Sequence, residues 1–261
     1  MALTADQQSI KDEYLRIFGT WGEPWETVLQ VDPAFVRAYL GMQQVPFRKN
    51  HLTDKFKALC QVAVVSAATH LYVPGIRPAI RRALDLGATA HEIVEVFELI
   101  STVGIHTMNI GVPLLVEVMV ERGRTGPAPL TAYQEQQKAE FTANRGYWHS
   151  FFDELLELDP ELFAAYTEFS SVPWRTGPLT PAEKELIYIA YDIAATHLYV
   201  PGTKLHMRNA LNHGATVEQI LEVMEISTML GIHTVEVAGP ILAEELAKDS
   251  AATDSARPEP R

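Results

Sequence analysis

The chain has a single cysteine, Cys60, so no internal disulfide can form, which suits a reducing compartment. The missing second thiol also excludes chemistry that closes a disulfide within the chain. Basic residues are scarce: 21 Lys and Arg stand against 33 Asp and Glu, a formal net charge of −12. Nucleic acid, which is held through phosphate contacts, is therefore not an expected partner. A small acidic substrate remains compatible, because a local pocket can oppose the net field. Long apolar runs are missing too. Stretches such as Val62 to Ala68 stop well short of the roughly 20 residues that span a bilayer, so no membrane segment is expected. The opening residues, MALTADQQSIKDEY, have no basic region followed by an apolar one, so no secretory signal is expected. A cytoplasmic location follows as the default. Strand-like alternation is rare, which leaves helix as the main element.

What the chain does have is repetition. The segment ATHLYVPG occurs at Ala68–Gly75 and again at Ala195–Gly202, an offset of 127 residues between His70 and His197. The same offset pairs Gly87-Ala88-Thr89 with Gly214-Ala215-Thr216, and Gly104-Ile105-His106-Thr107 with Gly231-Ile232-His233-Thr234. It pairs Asp32-Pro33 with Asp159-Pro160, and Trp21 with Trp148. A fixed period over this length signals a tandem duplication. Hydrophobic residues make up 47% of the chain, enough for one or two ordinary cores. The expected units are residues 1–122 and 132–247, joined through the Gly- and Pro-rich segment Glu121–Thr131. Residues 248–261 hold almost no large apolar side chain and are expected to be a disordered tail.

Each unit reads as helices. Asp32-Pro33 and Asp159-Pro160 place an N-cap before a proline at the first helical position. Thr180-Pro-Ala-Glu183, Thr216-Val-Glu-Gln219 and Thr89-Ala-His-Glu92 read as capping boxes. The stretch carrying Leu186, Ile187, Ile189, Ala190, Ile193 and Ala194 is apolar nearly all round, so it is expected to be a buried helix, ended by Pro201-Gly202. Gly214 is expected to close the next helix. The fold class is all-α.

Three segments of the second unit carry a family resemblance. They are Glu185-Leu-Ile-Tyr-Ile-Ala, Leu205-His206-Met-Arg-Asn-Ala-Leu and Gly214-Ala-Thr-Val-Glu-Gln-Ile. Their order resembles the carboxymuconolactone decarboxylase and alkylhydroperoxidase-D-like superfamily. The resemblance implies an all-α fold and an obligate homo-oligomer, a dimer or trimer. It also implies a small-molecule substrate and chemistry without a cofactor. Peroxidase members carry a Cys-x-x-Cys pair between the glutamate and the histidine. Here that region is His197-Leu-Tyr-Val-Pro-Gly-Thr-Lys-Leu-His206, two residues longer than in the family and without cysteine. Thiol-dependent peroxide reduction is therefore not expected. Cys60, opposite Ile187 in the other unit, reads as a small core residue.

The two units differ where chemistry would sit. Glu185 is matched by Ala58, and His206 by Ala79. Candidate catalytic residues are therefore His206, His197 and Glu185. His206 is expected in the first turn of its helix, where the dipole disfavours imidazolium and so favours a neutral base. Glu185 would orient His206 or act as a second acid or base. His197 is expected at the end of the buried helix, across the Pro-Gly turn from His206. Its ordinary alternative is to satisfy the last helical carbonyls. His70, His106 and His233 could line the same pocket or be core histidines. Tyr72 and Tyr199 could present hydroxyls there or simply pack. Lys204 and Arg208, beside His206, could bind a substrate carboxylate or remain solvated. His213 reads as a helix-end residue. No His-Glu-x-x-His and no cysteine cluster occurs, and His197-x8-His206 is not a usual helical ligand spacing, so no metal is expected.

The expected function is cofactor-independent acid/base chemistry on a small carboxylated lactone or ring-cleavage product. A metal-dependent hydrolase or lyase using the histidines is the first alternative. A non-catalytic helical binding or assembly protein is the second.

Overall fold

A computed structural model describes residues 2–19 and 21–255, and no strand occurs among them. The first repeat contains α1 (Ala5–Phe18), α2 (Glu23–Val31), α3 (Pro33–Lys49), α4 (Asp54–Ser66), α5 (Val73–Asp85), α6 (Ala90–Ser101) and α7 (His106–Glu121). The second contains α8 (Ala132–Arg145), α9 (Asp153–Leu158), α10 (Pro160–Thr176), α11 (Pro181–Asp192), α12 (Val200–Asn212), α13 (Val217–Ser227) and α14 (His233–Ser255). The chain is thus an all-α duplication.

The caps are those that the residues call for. Asp32 and Asp159 accept from Phe35 and Leu162 at the starts of α3 and α10. Thr89, Thr180 and Thr216 form capping boxes at α6, α11 and α13. Gly87 and Gly214 take left-handed φ values of 86° and 89° just beyond α5 and α12. α11 is buried on every side, as its apolar run requires.

Two details differ from the sequence expectation. α11 ends at Asp192, well before Pro201-Gly202, and Pro201 instead opens α12. A proline at the start of a helix loses no hydrogen bond, so it starts α12 rather than stopping α11. α14 runs through residues 248–255, where a disordered tail was expected; residues 256–261 lie outside the described residues.

The repeats interlock. One core cluster combines α4 and α6 of the first repeat with α11 and α13 of the second; Leu59, Val62, Ile187 and Ile189 are all fully buried in it. Each such side chain contributes about 2 kcal/mol of apolar transfer. The last helix of each repeat leaves its own unit. α14 packs on α2, and α7 packs on α9. Two buried ion pairs repeat the exchange: Lys57–Glu222 at 3.1 Å and Lys184–Glu95 at 2.9 Å. Glu222 and Glu95 also accept from the backbone N–H of Leu52 and Leu179. Each pair joins one repeat to the other, and each lysine also has a partner in its own repeat, Asp54 for Lys57 and the Leu179 carbonyl for Lys184.

Two helical stretches, Ala90–Glu121 and Val217–Asp249, are long and apolar enough to cross a membrane by length and composition. Each is interrupted by a tight 3₁₀ turn, at Thr102–Ile105 and Thr228–Ile232. Inner faces of α6 and α13 lie in the core, whereas α7 and α14 expose Ile110, Leu114 and Leu115, and their equivalents Val237, Ile241 and Leu242.

Candidate active site

The crossing of α7 and α14 builds two pseudo-equivalent pockets, each with histidines from both repeats. In one, His106 at the start of α7 reaches His197 in the turn between α11 and α12. Its Nδ1 lies 2.7 Å from His197 Nε2. In the other, His233 at the start of α14 meets His70, again at 2.7 Å. Tyr199 stacks on His106 and Tyr72 on His233, with ring centroids 3.8 and 4.0 Å apart. The Tyr72 hydroxyl donates to Glu236 at 2.8 Å. Leu71 and Leu198, directly after His70 and His197, both hold φ near +50°, at 45° and 50°. Such a conformation costs a leucine about 1 kcal/mol or more, and here it turns the chain back to aim each histidine inward.

The pockets then diverge. On the side of the second repeat, Glu185 is wholly buried and its Oε2 lies 2.5 Å from His206 Nδ1. Asn209 Nδ2 donates to the other Glu185 oxygen at 3.3 Å. The pairing fixes the ring and turns His206 Nε2 away from Glu185, toward Asp192. Tyr188 stacks against the same ring at 4.4 Å. His206 lies in the second turn of α12, not the first, so the helix dipole acts on it only weakly.

Asp192 is the residue that sequence reasoning missed. It is fully buried at the end of α11, and neither carboxylate oxygen has a hydrogen-bond partner. Three imidazole Nε2 atoms face it: His197 at 3.8 Å, His106 at 3.9 Å and His206 at 3.9 Å. Burial pushes its carboxyl up to about 7, opposed by His206 and reinforced by Glu185. Burial, with His197 and His206 nearby, holds His106 down to about 3, so it is neutral at ordinary pH. Burial also lowers His197. The one available signal was that an acidic residue ended the apolar run after Glu185, opposite Val65 in the first repeat.

Arg145 was missed as well. It lines this pocket almost fully buried, opposite Phe18 of the first repeat. Its Nη2 is 3.3 Å from the Tyr188 hydroxyl, its Nε has no partner, and it makes no ion pair among the described residues. Lys204 and Arg208, which could bind a carboxylate or remain solvated, face solvent from α12 and line neither of these two pockets. They follow the exposed face of a helix whose buried face carries Leu205, His206 and Asn209. The cavity itself, between His106, Asn109, Arg145, Tyr188, Tyr199 and His206, is about 20 Å³, room for one water.

In the first repeat Ala58, Val65 and Ala79 stand for Glu185, Asp192 and His206. The smaller side chains leave a larger cavity of about 120 Å³, walled by Tyr14, Phe18, Tyr39, Phe47, Gln61 and Arg82. His70, His233 and Tyr72 therefore belong to this second pocket, and His106 and Tyr199 to the one with Glu185 and His206.

Known proteins place the chain. The sequence profile of the carboxymuconolactone decarboxylase family matches residues 160–239. A crystal structure from Burkholderia xenovorans LB400, provisionally named a gamma-carboxymuconolactone decarboxylase subunit, is 51% identical; it matches over 95% of this chain and 100% of its own, with a TM-score of 0.92. The chain belongs to the carboxymuconolactone decarboxylase family. No curated protein matches it. As a carboxymuconolactone decarboxylase family member it carries one pocket with the Glu-His pair and one without. Cys60 is fully buried in the core, and burial raises its thiol far above the ordinary range, so it holds no reactive thiolate.

Proposed function

We propose that the protein is a carboxy-lyase of the carboxymuconolactone decarboxylase type, acting on a small carboxylated lactone or related ring-cleavage product. The observation that carries this reading is the buried Glu185–His206 pair facing a cavity with an unpaired arginine, Arg145. An unpaired buried guanidinium is a natural seat for a carboxylate, which would offer two parallel acceptors. One substrate carboxylate is held at Arg145. A second leaves as carbon dioxide, its bonding electrons pass into the conjugated system, and His206 delivers a proton to carbon. Glu185 holds the imidazole on its Nδ1 side so that Nε2 faces the substrate. The one-water cavity requires wall side chains such as Tyr199 or Phe151 to move before a ring enters.

The matched exposed apolar faces of α7 and α14 support a homo-oligomer built through them. The deciding experiment follows loss of 4-carboxymuconolactone and release of carbon dioxide with purified protein. Turnover that falls at least 100-fold in His206→Ala supports the reading. Turnover unaffected by His206→Ala removes His206 from the mechanism, and no turnover by the native protein removes the named reaction.

A further inference from the structure

Asp192 poses a physical problem that the Glu185–His206 pair does not solve. A carboxylate buried without a single hydrogen bond is costly, and an isolated buried charge costs far more. Among the described residues, the groups facing its two oxygens are three imidazole Nε2 atoms, of His197 at 3.8 Å and of His106 and His206 at 3.9 Å. Imidazoles and a carboxylate converging on one point are the donor types that first-row transition metals take.

We propose that His106, His197 and Asp192 together hold one divalent first-row transition-metal ion. One ligand atom from each lies within 4.8 Å of the others. Coordination at about 2.0–2.2 Å draws such atoms together by modest side-chain rotations. The 2.7 Å hydrogen bond between His106 and His197 is exchanged for two coordinate bonds. Two histidines and one carboxylate leave open positions, an arrangement suited to iron, manganese, cobalt or zinc. His206 Nε2, 3.9 Å from Asp192, faces the open side, and the adjoining 20 Å³ cavity has room for a metal-bound water. Tyr199, stacked on His106, screens the ring from solvent and fixes its plane.

The duplication supplies an internal control. His70 and His233 make the same 2.7 Å contact, but Val65 stands where Asp192 would be. A histidine pair alone is therefore a structural device of this fold, and the carboxylate is what makes one of the two pairs a metal site. The ligands come from α7 of one repeat and α11 and its following turn in the other, so no sequence spacing reveals them.

The test is titration of chelator-treated full-length protein with Co²⁺ and Zn²⁺, followed by calorimetry and by the visible absorption of bound Co²⁺. One ion per chain is expected. Asp192→Asn, which keeps the shape and removes a buried charge, weakens binding at least 100-fold; His70→Ala leaves it unchanged. Circular dichroism and thermal melting confirm that both variants are folded. If Asp192→Asn does not fold, His197→Gln takes its place with the same expected loss. No bound ion, binding unaffected by these substitutions, or equal loss in His70→Ala overturns the proposal. The chelated protein is assayed in parallel on 4-carboxymuconolactone. Turnover without any metal binding sinks this inference alone, and metal binding without turnover sinks the decarboxylase reading alone.

Discussion

His106 Nδ1 lies 2.7 Å from His197 Nε2, although the two residues belong to different repeats and are 91 positions apart. The contact exists because α7 leaves its own repeat to pack on α9, carrying His106 across to the turn after α11. The reciprocal crossing of α14 makes the His70–His233 contact. Duplication therefore produced two shared pockets, and only one has the carboxylates of Glu185 and Asp192; the other has Glu236, held by the Tyr72 hydroxyl.

Glu185 is expected to act through His206. Glu185→Gln keeps size and one hydrogen bond but removes the charge beside Nδ1. Turnover should fall roughly 10- to 100-fold with the fold intact, as is typical for a group that orients a catalytic ring. A kcat–pH profile that moves in this variant separates orientation from simple structural loss.

Gly202 tests the geometry without touching a polar group. A Cβ there would sit 2.4 Å from Asp192 Oδ2 and 2.5 Å from the Tyr199 ring. Gly202→Ala should displace both, lowering turnover and metal affinity together. Native values of both would show that the Asp192 position is unimportant.

The cross-repeat ion pairs are expected to hold the two repeats together. Removing one member leaves the other charged and buried. Lys57→Ala should cost about 3–5 kcal/mol in urea unfolding. A joint replacement, Lys57→Met with Glu222→Leu, should restore much of that loss, because apolar side chains need no partner there.

Acid stability carries the mark of His233. Burial first, then His70, lowers it from 6.5 to about 4. A histidine with a depressed folded pKa favours the native state above 6.5 and loses that advantage as pH falls through 4. Stability should therefore drop on the order of 2–3 kcal/mol over this window from His233 alone. Melting temperatures of His233→Gln between pH 7 and 4 should fall less steeply than those of the native protein.

The exposed apolar faces predict assembly. Light scattering should report a mass above the 29.1 kDa of one chain. Leu115→Glu and Leu242→Glu, on equivalent positions of α7 and α14, should shift the protein toward monomer. A native monomer would refute the interface.

Local signals were legible in the sequence because they depend on neighbours in the chain. The threonine capping boxes, the Asp-Pro helix starts and the apolar α11 all act within a few residues, and the offset of 127 is read by laying the chain against itself. Glu185 and His206 were also visible, since their contrast with Ala58 and Ala79 can be read from the repeat alone. The pocket's membership was not. Asp192 and Arg145 looked like ordinary charges until the fold buried them, Asp192 without a hydrogen bond and Arg145 without an ion pair among the described residues, and the exposed Lys204 and Arg208 looked equally suited to an anion. The partners of His197 and His70 depended on where α7 and α14 cross. Helix formation is a local matter of caps and periodicity, so the sequence determined it. Which histidine meets which carboxylate depends on long-range packing of one repeat against the other, so only the tertiary structure decided it.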